Sequence, residues 1–346
     1  MNLMKSILGS FLLVLFGCQF LIAQQIQTEI KPAQQWLDTN GKGINAHGGG
    51  VIFHQGVYYW YGEHKLEGKS EAEFADGGIH CYSSKDLINW KDEGLVLSVD
   101  YEDEKSDLAY GCILERPKVV YNSKNKEFVA YFKLYLKGVG YDSNYVGVAV
   151  AKKPLGPFIY HHKFRGGGST KGSGDFSMFK DDEKTLYHLA VRKPDKAFVI
   201  GKLDADYYYP DGEYQVAEGV KVHTEAPAVI KRNGIYHMLG SGSKGWNPNP
   251  ARYHTTNDLL GTWTYHGNPC YGFNAVDNLG IDKTFGGQSS YIIPIQGIED
   301  AYIAMFDIWR PEKPITGRYI WLPIKFSNEK MSIFWRDSWK PSDLGK

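Results

Sequence analysis

Three carboxylates, an amide and an imidazole occupy equivalent places along this chain: Glu115, Asp175, Glu225, Gln288 and His47. Each stands at the head of a short apolar run, and a turn residue follows nine positions later, at Gly56, Lys124, Lys184, Gly234 and Gly297. The stretch "HTEAPAVIKRNGIYHMLGSG", His223 to Gly242, shows the pattern: Glu225 opens a strand, Asn233-Gly234 turns it, and "IYHML" returns. Carboxylates brought together can divide acid and base work, because like charges held close raise one pKa while the others stay ionised. On that logic Asp175 would keep Glu225 protonated near neutral pH. Taken singly, each residue has an ordinary alternative: an acid can cap a turn or pair with Arg116, and His47 can be a satisfied core histidine. The fivefold recurrence argues for a shared task.

The elements that would position these residues follow from the spacing. Successive heads lie 50–68 residues apart, which leaves room for two more strands after each hairpin. Those outer strands repeat weakly as "SSKDLINWKDEG", "AKKPLGPFIYHH" and "TTNDLLGTWTYHG". Four strands per unit is the size of a β-propeller blade. The expected fold is therefore all-β, a five-bladed β-propeller over residues 45–346, favoured over a β-sandwich by the fixed register of the turns. In a propeller the inner strands run beside the axis, so the five heads would converge on one end of the channel.

Composition narrows the function. The 346 residues carry 39 basic and 39 acidic side chains, so no net charge draws the chain to nucleic acid or anionic membranes. Residues 1–23 read as an export signal, with Lys5 before "ILGSFLLVLFGCQFLIA" and cleavage after Ala23; lipidation at Cys18 is the less favoured alternative. Residues 24–44 form a lead-in segment. No other stretch approaches a membrane span, and a periplasmic or secreted monomer is expected. Cys81, Cys112 and Cys270 allow at most one disulfide and form no zinc pattern. No cofactor is required; the sequence leaves open a structural cation in the channel.

Converging carboxylates in an aromatic-lined pocket suit glycoside hydrolysis, where one group protonates the leaving oxygen and another activates water. Trp246 and Trp309 offer faces for a sugar ring. The loop "SGSKGWNPNPARY", with Trp246 and Arg252, reads as a binding loop. Glu63 and Lys65 in "YGEHK" are expected to face the same pocket, whereas "EAEFADGG" reads as a solvated acidic loop. The Gly-rich "RGGGSTKGSG" lacks the spacing of a phosphate loop.

Four segments together, "AHGGGVIFHQGVYYWYGEHK", "ERPKVVYN", "EAPAVIKRNGIYHMLGSGSKGWNPN" and "QSSYIIP", resemble glycoside hydrolase family 43, a five-bladed-propeller family. They are most similar to its exo-β-1,3-galactanase branch and to a neighbouring arabinofuranosidase branch. The resemblance implies an inverting exo-hydrolase on β-1,3-linked galactose in an oligo- or polysaccharide, with Glu225 as general acid and Asp175 tuning its pKa. In "GSGDFSMF" Gly174 stands where the family usually pairs an Arg with that Asp. The family's usual base, an Asp at the head of the first blade, is replaced here by His47. The galactanase branch also lacks it and uses a Gln at the head of the fifth blade, matching Gln288. Glu115 is implied in sugar recognition or as the alternative base, and Glu63 as a sugar-hydroxyl acceptor. Two other readings are an α-L-arabinofuranosidase and a non-catalytic carbohydrate-binding propeller.

Overall fold

The computed structural model describes residues 26–182 and 184–344; the export signal expected over residues 1–23, with Cys18, lies outside the described residues. Five antiparallel sheets follow one another along the chain. The first blade comprises β1 (His47–His54), β2 (Val57–Lys65), β3 (Asp76–Ser84) and β4 (Lys91–Ser98). The second comprises β5 (Ile113–Asn122), β6 (Glu127–Tyr135), β7 (Tyr145–Ala151) and β8 (Ile159–Phe164). The third comprises β9 (Ser173–Asp181), β10 (Thr185–Arg192), β11 (Phe198–Leu203) and β12 (Pro210–Val216). The fourth comprises β13 (Thr224–Arg232), β14 (Ile235–Gly242), β15 (Arg252–Thr256) and β16 (Thr264–Gly267). Three short strands follow: β17 (Cys270–Tyr271), β18 (Phe273–Asn274) and β19 (Leu279–Gly280). The fifth blade comprises β20 (Gln288–Pro294), β21 (Tyr302–Ile308), β22 (Arg318–Ser327) and β23 (Lys330–Phe334), with β17 parallel to β23 at its outer edge. The architecture is the expected five-bladed propeller.

Inner strands touch in the order β1, β5, β9, β13, β20 and back to β1, which closes the ring. The lead-in and the C-terminal tail meet at this seam: Ile30 bridges Trp339, and Trp36 packs against Trp60, Tyr319 and Trp321.

Because successive residues of a strand point to opposite faces, each blade feeds two neighbours. In β2, Trp60 packs toward the fifth blade and Tyr61 toward the second; in β6, Tyr131 faces the third blade and Phe132 the first. An apolar cluster fills every gap between consecutive blades. Double-sided burial explains why the inner two strands of each blade read as nearly continuous apolar runs rather than alternating ones. Each fully buried large side chain contributes about 1.5–3 kcal/mol. Cys81, Cys112 and Cys270 are buried free thiols.

Candidate active site

Every inner strand carries an irregularity near its head. Pairing with the second strand slips between His47 and Gly50, between Glu115 and Lys118, opposite Ala190–Arg192 in the third blade, between Glu225 and Ala228, and between Ser289 and Tyr291. Such bulges bend a strand and re-aim its side chains. In three blades the residue after the head takes a left-handed conformation: Gly48 at φ 59°, Arg116 at 53° and Ala226 at 55°. The bulge turns Glu115 and Glu225 to the end of the channel, while residues further along return to regular pairing.

A cleft of about 320 Å³ opens at this end and is lined by four of the five heads, Glu115, Asp175, Glu225 and Gln288, together with Glu63, Trp246 and Trp309. His47 is the head that turns away. It is buried, stacks on Tyr319 with ring centroids 5.3 Å apart, and burial lowers its pKa to about 3, so it is a neutral core imidazole. Glu63, from the end of β2, takes the vacated place by reaching over Gly48. A Cβ at residue 48 would lie 2.3 Å from Glu63 Oε1, and the residue's φ is positive, so two constraints favour glycine there.

Arg116 is the hub. Its Nε lies 3.1 Å from Asp175 Oδ2, its Nη2 donates to Gln288 Oε1 at 2.5 Å, and its backbone N–H donates to Glu63 Oε1 at 2.8 Å. Its guanidinium also lies over the Trp309 ring, 5.4 Å from the centroid. The arginine that Gly174 fails to supply beside Asp175 thus comes from the neighbouring blade. Lys133 completes the bridge, with Nζ 3.0 Å from both Glu115 Oε2 and Asp175 Oδ1. Tyr141 donates to Glu115 Oε1 at 3.0 Å.

This arrangement sorts the protonation states. Burial opposes ionisation of Asp175, but Arg116 and Lys133 outweigh it and hold the carboxyl well below the usual range. Glu115 is likewise lowered, Lys133 and Lys65 overcoming burial. Glu225 moves the other way: burial and then the charge on Asp175 raise its pKa, against the hydrogen bond that Ser243 donates to its Oε2. Among the strand heads, the cleft therefore holds ionised carboxylates beside one that retains its proton more readily, the division that acid–base catalysis needs.

Gln288 is pinned on both sides. Its Oε1 accepts from Arg116 and from Trp309 Nε1 at 2.8 Å, while its Nε2 donates to Ser241 Oγ at 2.9 Å and approaches Glu225 Oε1 at 3.5 Å. Behind Glu63, Lys65 is fully buried among Glu63 (2.9 Å), Glu71 (2.9 Å) and Asp76 (2.6 Å). It does not line the cleft, contrary to expectation, because three carboxylates hold it from behind. The acidic loop is correspondingly not simply solvated: Glu71 reaches the cleft wall and Asp76 is buried. Burial raises Glu63 to about 8, with Lys65 opposing and Glu115 and Asp76 adding. Arg252 also stays outside the cleft, donating to Val222 O and Thr224 Oγ1 at 3.0 Å each. Trp246 stands exposed on the β14–β15 loop, whose ends are tied by paired hydrogen bonds between Gly242 and Asn249.

Sequence reasoning did not single out Lys133, Tyr141, Ser241 or Ser243, and considered Arg116 only as a local partner for an acid. A signal for Lys133 existed: it is the lone charge inside the apolar run "FVAYFKLYL", and buried charges are almost always paired. Among the described residues no cluster of His, Cys, Asp and Glu suits a metal ion.

Residues 51–284 match the family described as Glycosyl hydrolases family 43. Among solved structures, a family 43 β-1,3-galactosidase with galactodeoxynojirimycin is 37% identical, with TM-score 0.82 over 90% of this chain and 100% of that one. An exo-β-1,3-galactanase from Phanerochaete chrysosporium with β-1,3-galactotriose is 32% identical, with TM-score 0.78 over 90% and 68%. An exo-β-1,3-galactanase from Clostridium thermocellum is also 32% identical, with TM-score 0.78 over 92% and 68%. No curated protein sequence matches the chain.

Proposed function

The chain belongs to glycosyl hydrolase family 43, a family of inverting glycoside hydrolases, and from that membership and its likeness to β-1,3-galactosidases we propose that it removes terminal β-1,3-linked galactose, with Glu225 as general acid. The observation that carries the acid assignment is the opposed environment of two neighbouring carboxyls: burial and the Asp175 charge raise Glu225, while Arg116 and Lys133 keep Asp175 ionised. The substrate assignment rests on the likeness to β-1,3-galactosidases and exo-β-1,3-galactanases over nine-tenths of the chain. A cleft of about 320 Å³ is at the small end for ligand sites and suits attack on a chain terminus.

For the water-activating group, the choice left open between Gln288 and Glu115, the geometry supports Glu115. Inverting sites separate their two carboxyl groups by roughly 6.5–9.5 Å to admit water, whereas Gln288 Nε2 lies 3.5 Å from Glu225 Oε1. An amide accepts a proton from water on nitrogen only as its imidic tautomer, whose oxygen carries hydrogen. Here Arg116 and Trp309 both donate to that oxygen, which favours the amide form. Glu115 is ionised and needs no rearrangement. We therefore assign proton acceptance to Glu115 and orientation of water and sugar to Gln288.

Product analysis on β-1,3-galactan and on arabinosyl substrates tests the reading. Galactose should be released, and as the α anomer first, because inversion at a β linkage gives α; release of arabinose alone would sink the galactosidase assignment and favour the arabinofuranosidase. Azide should restore turnover to Glu115→Ala and not to Gln288→Ala. The opposite pattern would return the base role to Gln288. We also propose that the leader of residues 1–23 exports the chain, checked by the N-terminal sequence of the mature protein. It would then work as a monomer, supported by a ring that closes on its own strands and checked by light scattering.

A further inference from the structure

On the side of the cleft shared by the third and fourth blades, two lysines line the wall that the mechanism leaves unused. Lys193 and Lys196 flank the turn between β10 and β11, and both are half-buried at the cleft. Among the described residues, neither side chain has a carboxylate within ion-pairing distance. Burial and the neighbouring charge on Lys196 push Lys193 down to about 8, with the charge on Asp175 opposing. The seat is built by the backbone: a Cβ on Gly174 would lie 3.2 Å from Lys193 Cε and 3.7 Å from its Nζ, so Gly174 leaves the space that this stem fills. Elsewhere in the cleft every cation is matched, Arg116 by Asp175 and Lys133 by Glu115 and Asp175. Two neighbouring cations without a carboxylate in ion-pairing contact repel each other in the empty protein, Asp175 acting on Lys193 only from a distance, and a bound anion would relieve them.

Position identifies what that anion is attached to. Glu225 must stand within hydrogen-bond reach of the leaving oxygen, so the part of the substrate beyond the scissile bond extends along the walls beside Glu225. Lys193, Lys196, Gly245 and Trp246 line the cleft together with Glu225, and the Lys196 carbonyl accepts from the backbone N–H of His223, two residues before Glu225, at 3.4 Å. We propose that Lys193 and Lys196 form an anion site for the leaving portion of the substrate, so that the enzyme prefers galactans carrying a uronic acid carboxylate or a sulfate ester next to the cleaved galactose. The inference rests on the assignment of Glu225 as the acid.

The test compares kcat/KM on β-1,3-galactosyl oligosaccharides whose leaving portion carries a uronic acid, a sulfate ester or a neutral sugar. The native enzyme should favour at least one anionic substrate on the order of tenfold, the scale of a charge-assisted hydrogen bond. High salt should compress the ratio toward one, and so should Lys193→Gln/Lys196→Gln, with folding checked by thermal unfolding. A preference for the carboxylate or for the sulfate names the source. Equal rates on all three substrates, or a preference that survives the double substitution, overturns the proposal. If the native enzyme cleaves none of them, the galactosidase reading fails instead. Calorimetric titration of Glu225→Gln with the acidic oligosaccharides, with and without the lysine substitutions, then decides the anion site separately: affinity lost with the lysines supports it, and equal affinity refutes it.

Discussion

The two mouths of the channel are built from the same five strands and differ in nearly every chemical respect. At the cleft end, the strand heads and their neighbours are Glu115, Arg116, Asp175, Glu225 and Gln288, each charged or amide group partnered from another blade or strand. At the opposite end, a cavity of about 540 Å³ is lined by Val51, Val119, Met178, Ile230 and Ile292, with the Asp181–Lys231 pair at 3.0 Å on its rim. Below the bulges, regular pairing sends alternate side chains into the gaps between blades. At the bulges, side chains are released from those gaps and turned to the axis. The contrast teaches that charge partnerships set chemistry at one end, while apolar contacts set stability at the other.

Removing the acid should break the cleft end most completely. Glu225→Gln is expected to lower kcat by about 10²–10⁴-fold, the usual contribution of a positioned general acid, while sugar binding measured by calorimetry persists. Full activity in that variant would remove Glu225 from the mechanism, and sustained binding without any turnover in the native protein would support the binding-module reading. Next in size is Arg116→Met, which leaves Asp175 with Lys133 alone and frees the Gln288 oxygen. Breaking a buried pair from one side costs about 3–5 kcal/mol, and misplaced groups commonly lose about 10²-fold in rate. Thermal unfolding and kcat/KM should therefore fall together.

Asp175→Asn offers a finer probe, because it alters charge with little change of shape. Turnover requires Glu225 protonated, so activity is lost as pH rises through the pKa of Glu225. Burial and the Asp175 charge both raise that pKa. Without the charge the alkaline limb of the kcat profile should move to lower pH, and the acidic limb, set by the lowered Glu115, should stay below the ordinary carboxylate range. An alkaline limb that does not move would mean that Asp175 serves position rather than electrostatics.

The cleft end was the more legible of the two, but only in part. The register of polar heads and turns is a local pattern, repeated along the chain, so the fold and four cleft residues could be read from it. Arg116 meeting Asp175 and Gln288 could not, since those contacts join residues 59 and 172 positions apart and exist only once the ring has closed. His47 was misplaced for a related reason. It holds the same register as the other heads, yet Glu63 reaches over Gly48 and fills the position, a choice made by backbone space at Gly48. Lys65 and Arg252 share motifs with residues that do reach the cleft, but neighbouring acceptors hold both outside it.

The smallest expected effect on turnover belongs to the apolar mouth, and it sharpens the comparison most. Ile292 is buried at 2% exposure between the fourth and fifth blades, four residues beyond Gln288 on the same strand. Ile292→Ala should destabilise by about 2–5 kcal/mol, comparable to Arg116→Met. Well below the unfolding temperature, however, kcat, KM and the pH profile should match the native enzyme. Two substitutions of similar cost to stability would then differ by about 10²-fold in rate. A loss of kcat in Ile292→Ala would show instead that packing at the far mouth is transmitted along β20 to Gln288, and the division between the two ends would fail at that strand.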